Sequence, residues 1–76
     1  MELQKRFGLN VKRARKAAGY SQEAFADHSG LARSYMSDVE RGARNPTLRI
    51  VQEIADALGI EPDKLLARDL LVGDDE

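Results

Sequence analysis

The sequence predicts an all-α fold, with short helices joined by tight turns in one small domain. Three observations predict it. The apolar residues recur at steps of three and four rather than in alternation. Five of the six glycines, Gly19, Gly30, Gly42, Gly59 and Gly73, divide the chain into helix-sized stretches. Glycine ends helices well because it takes a positive φ without a Cβ clash. No β-branched run and no Asn-Gly hairpin signal occurs. With 76 residues the chain is one domain, and that length excludes most enzymes. A domain of this size buries only about 60% of its unfolded surface, which favours support from a partner subunit.

The first helix is expected from about Leu3 to Ala18. Phe7, Val11, Ala14 and Ala18 form one apolar stripe, and Lys5, Arg6, Lys12, Arg13 and Lys16 lie mostly off it. Gly8 sits inside this helix and weakens its first turns. Ser21 is a natural N-cap, since its hydroxyl can accept from free N–H groups of the next turn. Gln22 to about His28 then form a second helix with Phe25 and Ala26 inward. Ser29-Gly30-Leu31 is a turn, and Ala32 to about Arg41 form a third helix with Leu31, Met36 and Val39 on its buried side. Two short helices joined by a turn containing glycine is the helix-turn-helix pattern.

After the loop Ala43-Arg44-Asn45-Pro46, Thr47 is expected to cap a fourth helix, Leu48 to Leu58. Leu48, Val51, Ile54, Ala55 and Leu58 make its buried face. Glu61-Pro62-Asp63 starts a fifth helix, because proline is tolerated in a first turn. The expected domain covers residues 1–72, with an apolar C-terminal helix suited to dimerisation. Residues 73–76 are expected to form a disordered acidic tail.

Net charge is −1, which on its face argues against a nucleic-acid partner. The average hides a segregation. Residues 1–50 hold ten Lys/Arg and five Asp/Glu, a net +5. Residues 51–76 hold two Lys/Arg and eight Asp/Glu, a net −6. A basic working face beside an acidic remainder would produce this pattern, and so would a solvated surface with accidental clustering.

Tyr20-Ser21-Gln22-Glu23-Ala24-Phe25-Ala26, then Ser29-Gly30-Leu31, then Val39-Glu40-Arg41-Gly42 with Pro46 beyond, resembles the Xre/Cro/CI-type helix-turn-helix family. Arg15 before these strings and Ala55-Leu58-Gly59-Ile60 after them extend the resemblance over roughly residues 3–66. It implies a compact, lambda-repressor-like five-helix domain that binds double-stranded DNA and regulates transcription. Arg33-Ser34-Tyr35-Met36-Ser37, Glu40-Arg41-Gly42 and Arg44-Asn45-Pro46-Thr47-Leu48 most resemble the controller proteins of restriction–modification systems.

The resemblance implies roles for single residues. The third helix is the reader, with Arg33, Ser34 and Ser37 near base edges. A guanidinium can pair bidentately with guanine O6 and N7. Tyr35 is placed against sugar, a thymine methyl or phosphate. Gln22, Arg41, Arg44, Asn45 and Thr47 are expected at the DNA backbone; Lys12 and Lys16 could flank the same face, but a solvated surface role is favoured for them. Arg15 and Glu40 match positions that form an internal ion pair in the family. Asp38 is expected to serve the surface or a cap, since a carboxylate near DNA is repelled unless it meets a cytosine amino group.

A single reader makes few base contacts, and a two-fold dimer spaces two readers about 34 Å apart on successive half-sites. Ile50, Leu65, Leu66, Leu70 and Leu71 are the expected interface, with one of Leu65 and Leu66 closing the monomer core instead. The expected partners are thus a palindromic operator and a second copy of the chain, with RNA polymerase a further contact open to a regulator.

No catalytic residue, metal site or cofactor is expected. His28 is the single histidine, no cysteine occurs, and no phosphate-binding glycine loop or nucleophile elbow is present. No apolar run is long enough to span a membrane, and the charged start Met1-Glu2-Leu3-Gln4-Lys5-Arg6 lacks the apolar stretch of a signal peptide, so a cytoplasmic protein is expected. The alternative is an antitoxin-type interaction module that also represses its own promoter. Only residues 67–76 lie beyond the resemblance, which leaves little room for a toxin-binding extension.

Overall fold

Helix α1 spans Leu3–Ala17, α2 Gln22–Ser29, α3 Arg33–Glu40 and α4 Leu48–Leu58. A single 3-10 turn, Pro62–Leu66, stands where a fifth helix is expected. The computed structural model describes residues 2–68, and these contain no strand. Leu70, Leu71, the rest of the expected terminal helix and the acidic tail lie outside the described residues.

Each boundary has a local cause. Ser21 Oγ accepts from the Ala24 N–H at 3.0 Å, and Thr47 Oγ1 from that of Ile50 at 3.2 Å. Both are N-caps of the expected kind. The turn between α2 and α3 closes on Gly30, at φ +76°. There the Leu31 N–H reaches Ala26 O at 2.9 Å and the Gly30 N–H reaches Asp27 O at 3.2 Å. This pair of bonds is a Schellman motif, and it needs a left-handed residue that only glycine adopts without strain.

The core draws on every element. Phe7, Val11 and Ala14 of α1 meet Phe25 and Ala26 of α2 and Met36 and Val39 of α3. Val51, Ile54 and Ala55 of α4 and Leu65 of the 3-10 turn complete it. α3 lies against both α1 and α2, while the 3-10 turn lies between α1 and α4.

Two apolar positions depart from their expected burial. Ala18 is exposed, because it caps α1 beyond the last packed turn. Leu48 is 83% exposed: as the first residue of α4 it stands at the rim of the core.

The position of α3 depends on Gly8. A Cβ at that position would overlap Val39 O and lie 2.9 Å from Glu40 O. α1 therefore rests directly on the backbone of the last turn of α3. Asn10, 1% exposed, fastens the other end of the chain: its Nδ2 donates to Leu65 O at 2.9 Å and Ala67 O at 2.8 Å.

Candidate nucleic-acid interface

The outer face of α3 is polar and its inner face is core. Met36 and Val39 are 0% and 1% exposed. Arg33 and Ser34, in the first turn, are exposed, and Ser37 is half-buried. No side chain caps the first turn, since Ala32 occupies the N-cap. The three expected base-reading residues therefore sit on an accessible helix whose other side is anchored.

A polar junction sets the angle of this helix. Arg15 Nε donates to Glu40 Oε2 at 2.7 Å and Nη2 to Oε1 at 2.9 Å. The two side chains are 7% and 3% exposed. Arg15 Nη1 also donates to Tyr20 O at 2.9 Å. The hydrogen bond to Glu40 holds the guanidinium pKa above its already high ordinary value. Gln22 joins the same group, its Nε2 donating to Glu40 Oε1 at 3.1 Å. One of its two amide hydrogens is thus taken by Glu40, and the half-buried side chain keeps a second. Glu40 offers a buried charged acceptor within reach of the first residue of α2.

The loop after α3 carries the exposed Arg41, Arg44, Asn45 and Thr47. The two arginines converge on α3 itself. Arg41 Nη2 donates to Asp38 Oδ1 at 2.5 Å, and Arg44 Nε to Asp38 Oδ2 at 3.2 Å. These bonds, that of Arg41 first, hold the Asp38 carboxyl pKa below the usual carboxylate range. The Arg44 guanidinium also lies over the half-buried Tyr35 ring, 5.1 Å from its centroid. One face of that ring is therefore already covered. Asp38 is more than a surface acid: it bridges the two basic residues of the loop.

The expected dimer patch is divided. Leu65 is 0% exposed and belongs to the core, so it offers nothing to a second copy. It is pulled inward because Asn10 binds its carbonyl and α1 and α4 close around its side chain. Leu66 lines an open apolar groove with Leu3, Phe7, Pro46, Leu48 and Val51. Ile50 is half-buried and does not line that groove.

Asn10, Gly8 and the bridging role of Asp38 escape a reading of the sequence alone. Asn10 does leave a trace: it is a polar residue inside the α1 apolar stripe, three positions after Phe7 and four before Ala14. His28 is exposed, stacks on Tyr20 at 5.1 Å and places Nε2 3.1 Å from Ala57 O. No group of side chains among the described residues could hold a metal ion, and none of their helices is long and apolar enough to cross a membrane.

Residues 11–65 match the helix-turn-helix family. The chain belongs to the Xre/Cro/CI-type helix-turn-helix family of DNA-binding transcription regulators. Its match to the control protein C.BamHI of Bacillus amyloliquefaciens is 43% identical over 61 residues, covering 79% of this chain and 75% of that protein. The restriction–modification controller protein C.AhdI from Aeromonas hydrophila has a similar structure, with a TM-score of 0.78 at 47% identity. That match covers 82% of this chain and 94% of C.AhdI. SinR, a master regulator for biofilm formation solved in complex with DNA, matches with a TM-score of 0.76 at 32% identity, over 80% of this chain and 98% of that one. These relatives are regulators rather than enzymes.

Proposed function

We propose that the chain is a sequence-specific transcription regulator that acts as a homodimer on a palindromic operator, as the controller of a restriction–modification system. The observation that carries the reading is the two-sided α3. Arg33 and Ser34 are exposed with Ser37 beside them, while Met36 and Val39 lock the helix into the core. α3 enters the major groove, Arg33 pairs with a guanine edge, and Ser34 and Ser37 allow close approach. Arg41, Arg44, Asn45 and Thr47 meet the phosphates from the following loop. The likeness to C.AhdI and C.BamHI supports the controller role.

The dimer rests on Leu66 and on the exposed Leu3 and Leu48 beside it, 55% and 83% exposed. Apolar surface of this kind, rimmed by polar residues, marks interaction sites.

Selection of binding sites from a random duplex pool tests the reading. The wild type enriches a two-fold sequence, and Arg33→Ala relaxes one base position per half-site at a cost of about 1–3 kcal/mol. Equal affinity for the enriched and scrambled duplexes overturns base reading. A monomer in sedimentation at micromolar concentration, with and without DNA, overturns the dimer.

A further inference from the structure

The two loop arginines are exposed, yet each is already held by the reader helix. Their side chains are 64% and 52% exposed, whereas that of the carboxylate between them is 28% exposed. Arg44 is held twice, by Asp38 and by the Tyr35 ring. Asp38 thus occupies the place a phosphate oxygen pair would take, and it lies on α3, one residue after Ser37.

We propose that Asp38 determines specificity by keeping Arg41 and Arg44 off phosphate until α3 is seated in the groove. The inference rests on the proposed DNA-reading face. Binding without base contacts is almost entirely a matter of phosphate neutralisation and counterion release. A duplex held loosely does not bring its phosphates into register with the loop, so the arginines stay on the carboxylate. Exposed ion pairs are weak and easily exchanged. When base-edge contacts press the loop against the backbone, the phosphates displace the carboxylate and both guanidinium groups transfer. Two phosphate contacts then belong to operator binding and are withheld from every other sequence.

The test compares the wild type with Asp38→Asn on a scrambled 20-base-pair duplex and on a duplex enriched from a random pool, across salt concentrations. Asparagine keeps the shape and removes the charge. Each phosphate contact contributes about 0.9 to the salt slope and about threefold in affinity between 50 and 200 mM salt. Asp38→Asn is expected to bind the scrambled duplex up to about tenfold tighter, with a slope steeper by about one to two. Its operator affinity is expected to change by less than about threefold, so the preference for operator falls. In an Arg41→Ala/Arg44→Ala background the same change is expected to leave the scrambled slope unmoved.

An unchanged or weaker scrambled affinity for Asp38→Asn overturns the proposal. So does a gain that survives removal of both arginines, since that is bulk charge alone. A wild type that prefers no sequence strikes the base-reading proposal instead, and the two failures are told apart in one set of titrations.

Discussion

Arg15 and Glu40, 25 positions apart in the chain, meet in a two-point ion pair that joins α1 to α3. Both side chains are nearly out of reach of water. Glu40→Ala strands a buried guanidinium and removes the acceptor that holds Gln22. Removing one partner of a buried pair costs about 3–5 kcal/mol. One kcal/mol moves the melting temperature of a domain this size by about 4–8 °C. Thermal unfolding followed by circular dichroism is expected to show Glu40→Ala melting more than about 12 °C below the wild type. Arg15→Met/Glu40→Leu is expected to recover most of that loss, because it leaves no charge unpaired. A loss within about 1 kcal/mol for Glu40→Ala would contradict the burial of the pair.

Gly8→Ala is expected to destabilise, against the general rule. In an ordinary helix interior the change to alanine gains about 1 kcal/mol. Here the new methyl meets the Val39 and Glu40 carbonyl oxygens, which are backbone and cannot rotate away. Overpacking of this kind costs about 1–3 kcal/mol. The midpoint of urea unfolding checks the sign, and a midpoint at or above that of the wild type would show that α1 and α3 can separate freely.

Asn10→Ala is expected to loosen the 3-10 turn as well as lower stability. It leaves the Leu65 carbonyl, at a buried residue, without its partner and releases that of Ala67. A buried polar group left unsatisfied costs about 1–3 kcal/mol. Amide hydrogen exchange is expected to quicken over residues 62–67 more than over α2. Uniform protection across the domain would refute a local fastening role.

Acid should weaken the bridge between α3 and its loop. The Asp38 carboxyl is depressed by Arg41 and Arg44 in the folded chain. A depressed carboxyl stabilises the fold fully above its unfolded pKa, about 3.9, and loses that contribution as pH falls through the folded pKa. The stability advantage of wild type over Asp38→Asn is therefore expected to shrink from about pH 4 downward. An advantage that grows toward low pH would mean that the Asp38 carboxyl is not depressed in the folded chain.

Much of this fold was legible because local chemistry and tertiary packing agree. Ser21, Gly30, Thr47 and Gly59 mark boundaries that any helix with these neighbours would adopt. Phe25, Met36, Val39 and Ile54 declare the core by spacing alone. Residue spacing does not show contact between distant segments, and of such contacts only the Arg15–Glu40 pair is expected, through the family resemblance. Gly8 reads as a weak point in a helix until the α3 backbone is seen against it. Leu65 and Leu66 are identical in kind and adjacent, yet one is core and the other lines a groove. Gln22 is held by a contact that spacing does not reveal, one of its two amide hydrogens going to Glu40. Leu48 reads as core by period but stands past the end of what α4 packs against.

Met36 and Val39 have consequences for the heat of binding. They place the inner face of α3 in the core before any partner arrives, so no part of the reader has to fold on contact. Segments that order on binding carry a large negative heat-capacity change, far beyond that of the surface covered. This reader helix should show none of that excess. If α3 reads DNA as proposed, calorimetry across temperature would then report the area of groove covered, plus whatever the proposed pair of copies buries.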